Sequence, residues 1–179
     1  MNEPARIYTD GGVVKKNPSV LAGTWAWCWV DSLGKRTCWQ SGVIEADERY
    51  PDGISNNITE LAAALLALES APAGWSGCLC TDSEITARRI RLARSGSTLS
   101  SSVPMQLQRR LSWAINQVGN FSIQRLAGHP NQQELAAGCK RNGDPVSEHN
   151  VFCDVQCTKE AKAWVTQRQQ NLGIAVATI

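Results

Sequence analysis

The sequence predicts an α/β domain in which helices flank a mixed five-stranded sheet, with three antiparallel strands followed by two parallel ones. Residues 6–45 form short extended runs that are separated by turn signals, which is typical of hairpins. Residues 56–170 instead alternate helical patterns with short apolar runs. The change from hairpins to strand–helix units favours a single mixed sheet, because parallel strands need crossover helices.

The length of 179 residues suits one domain, which we expect over residues 1–170, with residues 171–179 as a tail or an added edge strand. The net charge of +2 gives no global attraction to nucleic acid, so any anion-binding surface must be local. No apolar run is long enough to span a membrane, and the N-terminus lacks the apolar stretch of a signal peptide. We therefore expect a cytoplasmic protein whose seven cysteines are reduced.

The three N-terminal strands are predicted at residues 6–12, 24–30 and 36–45. In the second, tryptophans alternate with smaller residues, so the two faces of this strand should pack differently. Asn17-Pro18 marks the loop that precedes it.

The remaining elements follow from the change to helical periodicity. Leu61, Leu65 and Leu68 recur at helical spacing, and Pro72 and Gly74 should end that helix. The later segments are predicted as follows: helices at 56–74, 82–96, 105–119 and 150–170, strands at 77–81 and 121–127, and an irregular segment at 128–149.

Four acids lie at predicted element boundaries. Asp10 ends the first strand and Asp82 ends the fourth, whereas Glu60 and Asp154 lie in the first turns of helices. Each has a structural explanation by itself: Asp10 in an Asp-Gly hairpin turn, Glu60 in a capping box with Asn57, Asp82 as a helix cap, and Asp154 at a helix dipole.

Taken together, the four acids predict a metal site. If the first and fourth strands are neighbours, Asp10 and Asp82 lie side by side, and adjacent helices can bring Glu60 and Asp154 to them. Carboxylates converge only when cations offset their repulsion. Oxygen ligands favour Mg²⁺ or Mn²⁺, and two such ions about 3.5–4 Å apart suit phosphodiester cleavage.

The sequence resembles the ribonuclease H type 1 family. The matching blocks occur in the family's order and cover most of the chain: YTDGG, NNITELAAALLALE, CTDSE, LAGHP and NVFCDVQCTKEA. The resemblance implies that Asp10, Glu60, Asp82 and Asp154 bind two Mg²⁺ ions, with Mn²⁺ as a substitute. It also implies that His129 is a mobile histidine which relays protons or helps the product to leave.

The resemblance further implies a set of substrate-binding residues. Asparagines at matching places contact the minor groove of the hybrid, Ser55 helps to hold a DNA phosphate, and the glycines let the backbone approach a nucleic-acid strand. The set comprises Gly11, Gly12, Asn17, Ser55, Asn56, Asn57 and Glu84.

The sequence departs from the family in three places. Glu84 replaces the glutamine of many relatives. Instead of a basic, tryptophan-bearing handle the chain has four arginines at 88–94, which either grip phosphates or form a solvated face. The segment of residues 130–149 is longer than usual, and is either a lid over the site or a tolerated insertion. Near them, Cys139, His149, Cys153 and Cys157 are also considered as zinc ligands, although their spacing matches no known finger.

The resemblance implies a monomeric endoribonuclease that cleaves the RNA strand of RNA–DNA hybrids and leaves 5′-phosphate and 3′-hydroxyl ends. A DNA nuclease or strand-transfer enzyme on the same sheet is the first alternative. A non-catalytic nucleic-acid binder is the second, although such a protein has no use for an acidic cluster that faces phosphates.

Overall fold

The computed structural model describes residues 5–171. Within that range the chain forms five strands and five helices, in this order: β1 (Arg6–Val13), β2 (Ala22–Val30), β3 (Arg36–Glu45), α1 (Asn56–Ser70), β4 (Cys78–Thr81), α2 (Glu84–Arg94), α3 (Met105–Gln117), β5 (Ser122–Arg125), α4 (Gln132–Ala137) and α5 (Glu148–Asn171). The predicted C-terminal tail lies outside the described residues, apart from Asn171 at the end of α5.

The sheet has the predicted composition, with strand order β3-β2-β1-β4-β5. β1, β2 and β3 are antiparallel neighbours, and β4 and β5 continue the sheet in parallel with β1. β1 therefore lies at the centre, with an antiparallel neighbour on one side and a parallel neighbour on the other. This arrangement places the end of β4 next to the middle of β1, where Asp10 lies.

Helices cover both faces of the sheet, so the side chains on the two sides of β2 pack into two different cores. Trp27 joins the larger core formed with α1, α2 and α3, whereas Cys28 and Val30 join the core beneath α5. α5 packs on β1, β2 and β3. The alternation predicted for β2 is thus confirmed, and both of its faces are buried.

Several element ends differ from the predicted ones by one to four residues, and two structural interpretations are wrong. β1 continues to Val13, so Asp10 lies inside a strand opposite Ala26 of β2 and not in a hairpin turn. The segment that we expected to be irregular contains α4. A capping box between Asn131 and Glu134 begins this helix and Gly138, in the left-handed conformation, ends it.

The loop between β1 and β2 is attached to the start of α1. The backbones of Ser19 and Ile54 form two mutual hydrogen bonds of 2.8 Å. The side chain of Asn17 accepts a hydrogen bond of 3.1 Å from the backbone N–H of Asn56. Since the N-cap residue Ser55 makes no side-chain capping bond, Asn17 satisfies a donor of the first turn from a distant loop.

Leu65 tests the contribution of α1 to the larger core. Its side chain is fully buried, so Leu65→Ala leaves a cavity and should lower the free energy of unfolding by about 2–5 kcal/mol. Urea unfolding followed by circular dichroism measures this loss. The control is Leu33→Ala at a 91% exposed position, which should change stability by less than about 0.5 kcal/mol. Equal stability losses in the two variants would contradict this description of the core.

Candidate active site

The candidate site lies where β1 and β4 separate. The two strands pair only over Arg6–Tyr8 and Cys78–Cys80. Beyond this point β1 continues for five residues, whereas β4 ends at Thr81, and the chain turns into α2. Asp10 lies just past the last pair on β1, and Asp82 directly follows β4. The fork thus places two carboxylates next to each other without bringing them into the ladder of hydrogen bonds between the strands.

Glu60 reaches the fork because α1 crosses β1 at a glycine. A Cβ atom on Gly11 would lie 2.3 Å from the backbone nitrogen of Glu60 and 2.4 Å from the carbonyl carbon of Thr59. Likewise, a Cβ atom on Gly23 of β2 would lie 2.2 Å from Cγ2 of Thr59. Real Cβ atoms do not approach other atoms so closely. The glycine after Asp10 therefore allows close packing within the protein, where sequence analysis had expected it to admit a nucleic-acid strand.

The three acids of the fork form an acidic cluster, by which we mean Asp10, Glu60 and Asp82. One carboxylate oxygen from each lies within 4.8 Å of the other two. Asp10 is only 6% exposed. Burial, followed by repulsion from Asp82 and Asp154, raises the pKa of Asp10 to about 8. Burial and the charges of Asp10 and Asp82 also raise the pKa of Glu60 well above its ordinary value. The cluster is electrostatically unfavourable when it stands alone.

The donor set of the acidic cluster fits a divalent cation. All of its donors are carboxylate oxygens, which Mg²⁺ and Mn²⁺ prefer. The Oε2 atom of Glu60 is buried and has no hydrogen-bond partner among the residues that the structure describes. A buried carboxylate oxygen without a partner is costly, and a cation in the cluster would satisfy it and offset the repulsion.

Asp154 and His129 lie beside the acidic cluster but are not among the three residues that form it. Both line the same cavity of about 460 Å³, which we call the site cavity. Asp154 is the seventh residue of α5 and Glu60 is the fifth of α1, so each lies in a second turn and not in the predicted first turn. His129 has a φ of 48°, and its charge lowers the pKa of Asp82, which burial raises overall.

Comparison with solved structures identifies the architecture. RNase H1 from the halophilic archaeon Halobacterium salinarum NRC-1 superposes with a TM-score of 0.61 over 88% of this chain and 97% of its own, at 16% identity. LC11-RNase H1, solved in complex with an RNA/DNA hybrid, gives 0.61 over 89% and 98%, at 15% identity. The fold is ribonuclease H-like.

A third structure, the N-terminal RNase H domain of a Mycobacterium tuberculosis protein, has a TM-score of 0.60 at 9% identity, covering 92% of this chain and 99% of that domain. The sequence matches no protein-family model and no curated protein. These identities are low, so the likeness shows the ribonuclease H-like fold and nothing finer. No helix within residues 5–171 has the length and apolar character needed to cross a membrane.

Sequence analysis missed Asn150, which lines the site cavity of the ribonuclease H-like fold. Its side-chain amide donates a hydrogen bond of 3.2 Å to Oδ2 of Asp82, and the residue is only 4% exposed. Its Oδ1 atom is buried without a partner within the protein. The available signal was spacing: Asn150 precedes Asp154 by four residues, so the two share one face of α5.

Gly128 is a second position that sequence analysis missed. A Cβ atom there would lie 2.7 Å from Oδ2 of Asp82, so the backbone that leads to His129 passes directly over this carboxylate. The carbonyl of Pro145, in the segment after α4, accepts a 2.8 Å hydrogen bond from the N–H of Ala127 and so fixes this passage. The long segment after His129 therefore packs against the rim of the site.

The predicted substrate-binding residues fall into separate groups. Gly11, Gly12 and Asn56 line the site cavity. Ser55 lines an adjacent cavity of about 270 Å³, and Asn17 contacts the first turn of α1 as described above. The side chain of Glu84 is 65% exposed, forms ion pairs with Arg125 and Arg91, and does not line the site cavity.

The arginines of α2 have partly structural roles. Arg89 donates a 2.8 Å hydrogen bond to the carbonyl of Asn57, another predicted substrate-binding residue that does not line the site cavity. Arg94 donates one of 2.7 Å to the carbonyl of Phe121. Arg91 is 4.0 Å from Glu84. Arg88 is exposed.

The structure does not assemble the considered zinc ligands. Cys153 and Cys157 lie in the core beneath α5, and their thiols face the carbonyls of Tyr8 and Asp10. Cys139 lies after α4 and forms an isolated antiparallel β-bridge with Pro145 through the backbone. Within residues 5–171, the acidic cluster is the only place where three or more potential ligand side chains meet.

The raised pKa values predict how stability depends on pH when divalent cations are removed. Asp10 ionises near pH 3.8 when unfolded but near pH 8 when folded, so the folded state retains a proton that the unfolded state releases. The free energy of unfolding in EDTA should therefore fall as the pH rises from about 4 to about 8. Asp10→Asn should make this fall shallower and stabilise the protein at pH 8 by about 1 kcal/mol or more.

Urea unfolding between pH 4 and pH 9, with EDTA or with Mn²⁺, measures this dependence. Mn²⁺ should restore the stability of the wild type at pH 8 more than that of Asp10→Asn. The control variant is Glu48→Gln, an exposed acid outside the site, which should follow the wild type throughout. Identical pH profiles for the wild type and Asp10→Asn would show that Asp10 is not electrostatically strained.

Proposed function

We propose that the protein is an endoribonuclease that hydrolyses the RNA strand of RNA–DNA hybrids and leaves 5′-phosphate and 3′-hydroxyl ends. The observation that carries this proposal is the acidic cluster at the fork of a ribonuclease H-like sheet, in which the carboxylates of Asp10 and Glu60 are buried and that of Asp82 is partly buried. One oxygen of Glu60 has no hydrogen-bond partner within residues 5–171. The hybrid-bound structure of LC11-RNase H1 supports the substrate class for this fold.

The residues of the site have distinct roles in the proposed reaction. Asp10, Glu60 and Asp82, with Asp154 at the rim, would hold Mg²⁺ or Mn²⁺. The bound ions would supply a deprotonated water and positive charge at the scissile phosphate. Asn150 orients the carboxylate of Asp82 through its hydrogen bond.

His129 is placed to exchange protons between the site and solvent. It lines the site cavity at the start of the loop that follows β5, next to Pro130. An imidazole titrates in the neutral range and can protonate a leaving 3′-oxygen directly or through water.

The start of α1 supports the binding of a duplex across two adjacent cavities. Asn56 lines the site cavity, and its neighbour Ser55 lines the second one with Arg49, Ser101 and Ser102. Hydroxyl and guanidinium donors suit phosphate oxygens, and the asparagine amide suits the 2′-hydroxyl that distinguishes RNA from DNA. In this proposal one strand of the hybrid enters the site cavity and the other contacts the second cavity.

Asp10→Asn tests the proposal because the amide keeps the shape of the side chain but not its charge. Cleavage of an RNA–DNA hybrid in Mg²⁺ or Mn²⁺ should fall by about 10³-fold or more, with the circular dichroism spectrum unchanged. The matched control, Glu48→Gln, should cleave at the wild-type rate. An equally active Asp10→Asn variant would rule out the proposed site.

The same assay distinguishes the alternative functions by the nucleic acid that the protein cleaves. Hybrid, duplex DNA, duplex RNA and single strands are compared with the wild type, with and without EDTA. Faster cleavage of duplex DNA than of hybrid would favour a DNA nuclease. Tight hybrid binding without turnover in either metal would favour a non-catalytic binder.

His129→Ala should have a smaller effect than loss of the acid. Since the imidazole would transfer protons and is not one of the groups proposed to bind the duplex, kcat should fall by about 10²-fold while KM changes little. Steady-state kinetics on a labelled hybrid measure both constants. An unchanged kcat would show that His129 takes no part in proton transfer or product release.

A further inference from the structure

Two cysteine thiols lie side by side on β4. Cys78 and Cys80 alternate with buried Leu79, so both point to the same face of the sheet, and their sulfur atoms are 3.8 Å apart. This is the face that α5 covers over β1, β2 and β3. α5 packs on those three strands and leaves β4 less covered. On β4, Cys80 is buried and Cys78 is only half-buried.

The surroundings of the pair favour a thiolate at Cys78. In the sheet, Cys78 pairs with Arg6 of β1 on one side and with Ser122 of β5 on the other. Cys80 pairs in the same way with Tyr8 and Gln124. Hydrogen bonding from Cys80, then from Ser122, with the positive charge of Arg6, lowers the pKa of Cys78 to about 6 against the effect of burial. The Arg6 guanidinium is held in place by a 2.7 Å hydrogen bond to Gln124.

We propose that Cys78 and Cys80 form an oxidisable dithiol, in which Cys78 reacts first with a peroxide and Cys80 resolves the product to a disulfide. The thiolate of Cys78 attacks one peroxide oxygen, the O–O bond breaks, and the sulfur becomes a sulfenic acid as the other oxygen leaves as hydroxide. The Cys80 sulfur then attacks the sulfenic sulfur, the S–O bond breaks, and the thiol proton leaves with the hydroxyl group as water. Two thiols are oxidised by two electrons and one peroxide is reduced.

The other cysteines lack this combination of features. Cys28 and Cys153 are also 3.8 Å apart, but both are fully buried between β2 and α5, where a peroxide has no access. Cys38 and Cys139 are partly exposed, on β3 and after α4, which makes them suitable internal references. An accessible thiolate with a neighbouring resolving thiol is the arrangement found in redox-sensing sites.

The resulting bond should be easy to reduce. Residues two apart in a strand have Cα atoms about 6.6 Å apart, near the upper end of the range of about 4.4–6.8 Å that disulfides span. The bond therefore forms with local strain in β4. Strain raises the reduction potential, so a dithiol reagent should restore the two thiols readily.

Peptide mapping of the folded full-length chain tests this inference, which does not rest on the proposed function. After brief exposure to hydrogen peroxide, remaining thiols are alkylated and the protein is digested with trypsin. Cleavage after Arg49 and Arg88 releases residues 50–88, in which Cys78 and Cys80 are the only cysteines. We expect this peptide to lose two hydrogen atoms and both alkylation sites, and to regain them with dithiothreitol.

Variants separate the two steps. With Cys80→Ser, Cys78 should stop at a sulfenic acid that dimedone traps, whereas Cys78→Ser should leave Cys80 reduced. Cys139→Ser, at a partly exposed reference position, should form the disulfide like the wild type. In the wild type, oxidation of residues 50–88 should be about tenfold or more faster than that of Cys38 or Cys139. If the peptide stays fully alkylated while Cys38 or Cys139 oxidises, the inference is wrong, and this outcome needs no variant to be folded.

Discussion

The mutual repulsion of the buried carboxylates at the fork of β1 and β4 is the constraint on which the site depends. Asp10, Glu60 and Asp82 approach within 4.8 Å in an environment that penalises charge, and the pKa values of all three are raised. Repulsion of this kind stabilises nothing in the protein by itself. A fold that holds such a cluster together gains from it only when positive charge enters, which links the architecture to metal-dependent chemistry.

The scaffold holds the acids in place mainly through close backbone packing. Gly11 lets α1 lie against β1, and Gly128 lets the chain before His129 lie against Asp82. Asn150 adds a hydrogen bond from α5 on the opposite side of the cluster. The acids are therefore presented by rigid elements of three different kinds: a strand, a strand end and a helix. Such rigid support keeps the carboxylates from relaxing apart.

Much of the fold was predictable because the hydrophobic periodicity is clear. The alternation of β2, the leucine spacing of α1 and the switch from hairpins to crossover helices indicated a mixed five-stranded sheet. If the first and fourth strands of that sheet were neighbours, as they are, Asp10 and Asp82 would lie side by side. α4 was missed although its capping signals, Asn131 and Gly138, are present in the sequence. In that case a short helix without buried residues gave no hydrophobic pattern to detect.

The remaining misses have a different physical origin, since they depend on packing between distant segments. The crossing of α1 over Gly11 leaves no local signal, and the four-residue spacing of Asn150 and Asp154 does not reveal the contact between Asn150 and Asp82. Each contact joins residues more than 45 positions apart. The tight grouping of three acids, with Asp154 at the rim, likewise follows from the position of α5. Sequence patterns indicated which acids meet but not how closely each approaches.

Anomalous diffraction from a crystal soaked in manganese is the most direct measurement of the central claim. The account predicts a manganese peak at the fork, with oxygens of Asp10, Glu60 and Asp82 at coordination distances of about 2.0–2.3 Å. A saturated crystal that shows these three carboxylates without a manganese peak between them would contradict it.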